Sequence, residues 1–266
     1  MATVVKKIVV TGLNNDESGK FDNEDMAISF MSKQPVGHKF MVVPSYEVVE
    51  DDAVTYRATI VLTVWEHPRD TIAAINSVLA QDTDGWELLI LGDCCPDLQK
   101  LIDSNYFDPI INKSALKGNA VKVINLPEHK GGYGFAQRNL ARTIARGKYT
   151  LYLDNDDLLL PEHVSTRLAV VESVGPEEQP YDLVGFETSL EDIGFYRDTS
   201  FVYGKIGHAE IIIRTAFLKT LPDSDGQYGH DWVMIEQAIA RGCKKAIIQG
   251  QPYSYRVMGR AKGARN

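Results

Sequence analysis

The chain has no apolar run approaching the ~20 residues that a helix needs to cross a bilayer, so it offers no candidate transmembrane helix. Its first residues, Met1–Lys7, lack the apolar core of a secretory signal. Cysteine is scarce: Cys94, Cys95 and Cys243 are the only three. An odd count without a CxxC pair argues against a disulfide framework or a zinc site, and a cytoplasmic location is expected. Repeats and low-complexity linkers are absent. So is the GxGxxG fingerprint: Lys6–Thr11 ends in Thr-Gly, but no further glycine pattern follows, which sets aside a nicotinamide oxidoreductase. Acids are missing from Gln237 to Asn266, where Arg241, Lys244, Lys245, Arg256, Arg260, Lys262 and Arg265 stand. The formal net charge of −8 means that the chain as a whole is no electrostatic nucleic-acid binder. The basic end reads either as a solvated tail or as a cationic segment for the phosphates of a small donor or a polymer.

What is present is an ordinary globular composition, 44% hydrophobic and 24% charged over 266 residues, enough for one large α/β domain or two small ones. Residues 1–57 carry no recognisable chemistry. They read as an N-terminal extension packed on the main domain, with a strand at Lys6–Thr11, a polar loop at Asn14–Asp25, and short strands Phe40–Val43 and Tyr46–Val49 around Pro44. From Ala58 the pattern sharpens. Ala58–Val64 is a near-continuous apolar strand of the kind buried on both faces in a parallel sheet. Asp70–Gln81 has helical spacing with Asp70 as its N-cap. Strands follow at Glu87–Leu91 and Val121–Asn125, then a helix Ala136–Arg146 closed by Gly147. The strand Tyr149–Leu153 comes next, with a helix opening at Pro161 that turns Val164, Leu168 and Val171 inward. Further strands are expected at Asp182–Phe186, Glu210–Arg214 and Ala246–Gln249, and a helix at Asp231–Arg241 stopped by Gly242. The alternation predicts an α/β fold, a mostly parallel wound sheet flanked by helices, over 58–266 as one domain.

The most informative stretch is Tyr149–Asp157, Tyr-Thr-Leu-Tyr-Leu-Asp-Asn-Asp-Asp. A strand runs into three acids. On an extended chain Asp154 and Asp156 point the same way, towards the carboxyl end of the strand, where open α/β sheets bind ligands. Carboxylates this close repel unless a cation or hydrogen bonds compensate, and Mg²⁺ or Mn²⁺ carrying phosphate oxygens is a natural partner. A helix cap and acidic turn before Pro161 is the plainer alternative.

Other short motifs stand in a fixed order around this stretch. They are Thr59–Val64, then Gly92-Asp93-Cys94-Cys95-Pro96-Asp97, then Gly134-Phe-Ala-Gln-Arg138-Asn139, then Asp154-Asn-Asp-Asp, then Gly229-His230-Asp231. The ordered set resembles the family 2 glycosyltransferases, which have the GT-A nucleotide-diphospho-sugar transferase fold, and the resemblance covers about Thr59–Val257. It implies roles residue by residue. Thr63, Trp65 and Glu66 lie around the base and ribose of the donor. Asp93 matches the carboxylate that accepts a hydrogen bond from a uracil-type base, although Gly92 and Cys94-Cys95 depart from the family pattern. Arg138 offers a fork to phosphate or holds the acids in place. Asp154 contacts the nucleotide sugar and, with Asp156, the metal. Asp231 is the general base and His230, in place of the usual Glu, shares its task; Asp231 is equally readable as the N-cap of its helix. Arg256 and Arg260 close over the diphosphate.

The function implied is a metal-dependent, inverting transfer of a sugar from a nucleotide donor, UDP by default, to an acceptor hydroxyl, with Mn²⁺ or Mg²⁺ as cofactor. The default acceptor is a glycan or glycoconjugate bound by the segment Tyr181–Tyr228. Two alternatives stand beside it. One is a phage-type DNA-modifying transferase acting on hydroxymethylated bases through the basic C-terminus. The other is an inactive sugar-nucleotide-binding domain.

Overall fold

The computed structural model describes the backbone of residues 3–12, 19–21, 40–49, 56–173, 180–190, 195–224 and 226–257, and the side chains of 56–173, 180–187, 198–224 and 226–249. The chain divides into two compact units, Met1–Thr55 and Tyr56–Asn266. The first holds a three-stranded antiparallel sheet of β1 (Thr3–Gly12), β2 (Gly19–Phe21) and β3 (Phe40–Val49), in the order β2-β1-β3. Two expectations change here. β2 occupies part of the segment read as loop, the rest of which lies outside the described residues. The two short strands around Pro44 are one strand, with Pro44 opposite Ile8. β3 is at the edge of its sheet, where a residue without an N–H is tolerated.

The second unit is built on β4 (Tyr56–Val64), β5 (Trp86–Gly92), β6 (Ala120–Asn125), β7 (Gly147–Asp154), β8 (Asp157–Leu159), β9 (Leu183–Leu190), β10 (Phe195–Arg197), β11 (Ile211–Arg214) and β12 (Lys245–Val257). These form a 9-stranded sheet in the order β6-β5-β4-β7-β11-β9-β12-β8, with β10 on β9. The β6-β5-β4-β7 half is parallel throughout. β11 runs antiparallel to β7 and β9, and β12 is parallel to β9. From β4 the chain winds outward through β5 to β6, then returns to the other side of β4 as β7. The order therefore reverses between β4 and β7, and such a switch point opens a crevice at the strands' carboxyl ends.

Strand alternation sorts the core. Ile60, Leu62, Leu88, Ile90, Leu151 and Leu153 lie in one buried cluster with Val164, Leu168 and Val171. Val61, Leu89, Leu91 and Tyr152 lie in another with Ala141, Ile235 and Ala238. Successive side chains of one strand thus feed opposite faces, and helices cover both. They are α1 (Pro68–Leu79), α2 (Pro96–Asp103), α3 (Asp108–Ala115), α4 (Phe135–Ile144), α5 (His163–Glu172), α6 (Thr215–Leu218) and α7 (His230–Ala240). At the buried end opposite the crevice, Glu87 accepts hydrogen bonds from the Thr59 hydroxyl (2.9 Å) and from the backbone N–H (2.9 Å) and Nε (3.0 Å) of Arg146. These tie β4, β5 and the entry to β7 together.

Helix boundaries differ from expectation in instructive places. α1 starts at Pro68, so Asp70 sits in its first turn rather than at its cap. A proline suits that first turn because the N–H it lacks would be unsatisfied anyway. α4 ends at Ile144, and Gly147 opens β7 instead of closing the helix. A Cβ at Gly147 would sit 2.3 Å from the backbone of Ala58 and Thr59. Close strand approach therefore demands this glycine, and a helix stop does not. Pro161 precedes α5, which opens at His163 with the Val164 N–H donated to Gln81 Oε1 at 2.9 Å. Val164, Leu168 and Val171 are inward as expected. α2, α3 and α6 had no clear signal because each is short.

Candidate active site

The crevice is walled by the ends of β4, β5 and β7 and by the starts of α4 and α7. β7 ends at Asp154, directly opposite Thr63 of β4. Asn155 and Asp156 then form the turn into β8, so strand alternation reaches only as far as Asp154. Asp154 is 48% exposed, and its Oδ1 accepts from Thr63 Oγ1 (3.0 Å) and Arg138 Nη2 (2.5 Å). Thr63 thus supports an acid. Arg138 holds the acid cluster, one of the two roles expected of it. Buried near the start of α4, it also donates through Nη1 to the Tyr133 carbonyl (2.6 Å) and to His230 Nε2 (3.2 Å). One guanidinium therefore connects the end of β7, the turn before α4 and the start of α7. Gly134, at φ +84°, lets this happen, since a Cβ there would lie 2.7 Å from Arg138 Nη1.

An arginine can only donate, so His230 Nε2 is the acceptor and its proton is on Nδ1. Burial first, then the Arg138 charge, lowers the His230 pKa from its ordinary value. His230 is thus neutral, with its one basic nitrogen engaged. This geometry favours a positioning role over a share in proton transfer. His208 packs against it (ring centroids 5.3 Å apart) and against Tyr152 (4.6 Å). Burial pushes the His208 pKa well below its ordinary value and the Tyr152 pKa up to about 12. His67 is exposed and occupies the N-cap position of α1.

Asp231 follows in the first turn of α7. The N-cap is Gly229, at φ +83°, so Asp231 is not the cap. Its Oδ1 accepts the Trp232 N–H at 2.8 Å. Gly207 leaves room for its other oxygen: a Cβ there would come within 2.9 Å of Asp231 Oδ2. Between α4 and α7 a small cleft is lined by Arg138, Tyr152, His208 and His230, among others.

Asp93 stands at the end of β5 and is only 2% exposed. Its oxygens accept the backbone N–H groups of Lys130 (2.7 Å) and Gly131 (2.8 Å), and His129 Nδ1 lies 2.9 Å from Oδ2. The His129 ring stacks on Trp65 (centroids 4.1 Å, 28° between planes). Asp93 therefore fixes the 129–131 loop, and the loop backs a partly exposed indole at the end of β4. His129 was missed from sequence; its only signal was its place before the glycine-rich Gly131–Gly134.

Asn155 was also missed, having looked like a spacer between acids. Its Nδ2 donates to the Glu66 carbonyl (3.0 Å), Thr71 Oγ1 (3.1 Å) and the Trp65 carbonyl (3.4 Å). Glu66 and His67 have φ of 55° and 51°, a left-handed backbone that side chains other than glycine adopt at a cost. Asn155 clamps this strained turn to the acid turn.

No group of three or more His, Cys, Asp or Glu gathers as a metal cage among the described residues. Arg256 is in β12, with only its backbone described, and Arg260 lies outside the described residues. No described helix is long and apolar enough to cross a membrane.

Comparison with known proteins agrees with this architecture. Residues 59–176 match the family model for glycosyl transferase family 2. This region is thus similar to the family 2 glycosyltransferases, and the fold is GT-A. WcaA of Escherichia coli (strain K12), named as a colanic acid biosynthesis glycosyl transferase, is 32% identical over 111 residues, which are 42% of this chain and 36% of WcaA. S. aureus TarS 1-349 in complex with UDP is similar at a TM-score of 0.58 and 16% identity, over 76% of this chain and 60% of that one. The mannosyltransferase PcManGT from Pyrobaculum calidifontis, in complex with GDP-Man and Mn²⁺, is similar at a TM-score of 0.57 and 13% identity, over 90% of this chain and 64% of its own. The chain therefore spans between about a third and two thirds of the lengths of these proteins.

Proposed function

We propose that this chain transfers a sugar from a nucleotide-sugar donor, of the uridine diphosphate class, to an acceptor hydroxyl with inversion, using Mn²⁺ or Mg²⁺. The observation that carries this reading is the convergence at the β4–β7 switch point. There Asp154, at the end of β7, and His230, the neighbour of Asp231, are joined through a single buried arginine. The family match and the likeness to TarS with UDP support the donor class. WcaA, by its name, supports a glycan or glycoconjugate acceptor.

The residues fit the cation. Asp154 and Asp156 offer hard oxygen donors without a closed cage, as suits an ion that takes much of its shell from phosphate and water. Asp156 and Asp154 would hold it, and when bound it supplies Lewis-acid neutralisation of the diphosphate. The chain's own groups do the rest. Trp65, backed by His129 and Asp93, offers an aromatic face to the base. Arg138 and Thr63 keep Asp154 in place. Asp231 takes the proton of the acceptor hydroxyl as that oxygen bonds to the anomeric carbon. The bond from that carbon to the diphosphate oxygen breaks, its electron pair leaves with the nucleoside diphosphate, and attack from the opposite face inverts the centre.

The test is hydrolysis and transfer from a panel of UDP- and GDP-sugars with Mn²⁺ or Mg²⁺, read by mass. Asp156→Asn should abolish metal-dependent UDP binding. Asp231→Asn should keep UDP binding and lose transfer at least a hundredfold, in line with removal of a general base. Turnover of no donor, with UDP binding indifferent to Asp156→Asn, would sink the reading.

A further inference from the structure

Seven large apolar side chains are exposed among the described residues: Trp65, Leu116, Tyr133, Val202, Tyr203, Tyr228 and Val233. Trp65 belongs to the donor end and Leu116 follows α3. The other five come from three segments that meet at the start of α7. Tyr133 and Tyr228, 69% and 80% exposed, meet edge to face at 5.6 Å. Tyr203, 62% exposed, meets Trp232 edge to face at 6.3 Å, and its ring lies 3.5 Å from where a Cβ of Gly229 would be. Both pairs are tied to the site. The Tyr133 carbonyl shares Arg138 with His230, and the Trp232 N–H binds Asp231. Water-exposed aromatic rings gathered in one place mark a binding surface.

Charge says what binds. Beside the rings Asp198 pairs with Lys205 at 3.8 Å and Asp223 with Arg142, so these charges balance, and Asp231 is a further acid. A surface for nucleic acid combines stacking rings with a cationic groove, whereas balanced charge suits an uncharged ligand. A pyranose has an apolar C–H face and a hydroxyl edge, which match the negative ring face and the hydroxyl of tyrosine.

We propose that the pairs Tyr133–Tyr228 and Tyr203–Trp232 form an acceptor platform that stacks uncharged pyranose rings of an oligosaccharide and presents a hydroxyl to Asp231. The proposal rests on the glycosyltransferase reading above and adds the substrate class.

The experiment uses the full chain with its best UDP-sugar, an array of neutral gluco-, galacto- and manno-oligosaccharides, and the oligonucleotide dT10. Tyr203→Ala and Tyr228→Ala should each raise the KM for the best array acceptor at least tenfold, with kcat changed much less. The matching Phe variants should recover most of it, and the dissociation constant of UDP should move less than twofold. Acceptor KM values within twofold of the parent chain in both Ala variants would overturn the platform. So would tyrosine-dependent binding of dT10 that weakens with salt, or donor hydrolysis by the parent chain with no array member accepted. A chain that neither binds nor hydrolyses any UDP-sugar overturns the glycosyltransferase reading itself, and the platform falls with it.

Discussion

Replacing Asn155 by alanine separates two things that the clamp does. Nδ2 has two hydrogens for three acceptors, the carbonyls of Trp65 and Glu66 and the Thr71 hydroxyl. The loss is thus about two hydrogen bonds, roughly 2 kcal/mol in all. Thr71 Oγ1 keeps its own bond to the His67 carbonyl at 3.2 Å, and the Glu66 carbonyl, on an exposed residue, can turn to water. Against this, Glu66 and His67 hold left-handed backbone at about 1–2 kcal/mol each, and release lets part of that relax. Asn155→Ala should therefore lower stability by only about 1 kcal/mol, less than the bonds lost. It should weaken UDP binding about tenfold, equivalent to ~1.4 kcal/mol, because Trp65 and Glu66 move with the turn. Urea denaturation measures the first and calorimetric titration with UDP and Mn²⁺ the second. Asn155→Asp, which removes both donors at similar volume, should behave alike towards the turn. A stability loss of the full ~2 kcal/mol with UDP affinity unchanged would refute the reasoning, for the strained turn would then have no bearing on the donor.

Two other outcomes follow from the same site. Arg138→Met strips a buried donor from the Tyr133 carbonyl and His230 Nε2, and should lower stability by about 2–4 kcal/mol. Arg138→Lys should restore only part of this in denaturant titrations, because a single ammonium cannot span a planar fork's partners. His208 and His230 both have folded-state pKa values below the ordinary 6.5, set first by burial. The unfolded chain therefore binds protons more readily, so stability is fully present above about pH 6.5 and falls as the pH drops below it. Thermal midpoints between pH 5 and 8 should show that fall in the parent chain, and a flatter profile in His208→Gln.

Much of the scaffold was legible in the chain because burial on both faces leaves a local mark. The run Ala58–Val64 and the segment Tyr149–Leu153 read as strands since every residue must be apolar or β-prone in a sheet covered twice. Helix ends were less legible. Gly147 has the sequence look of a helix stop, yet it is needed for the close approach of β7 to β4, which no local pattern records.

The sequence by itself determined the α/β class and the acids on offer, because strand periodicity and the run Asp154-Asn-Asp-Asp are local properties. Only the tertiary structure decided what those groups do. Arg138 reaches Asp154 over 16 positions and His230 over 92, and Asn155 reaches Glu66 over 89. These meetings come from the return of β7 to the far side of β4, which brings the ends of distant segments to one crevice. The same return sets the Nε2 lone pair of His230 against an arginine delivered from another helix.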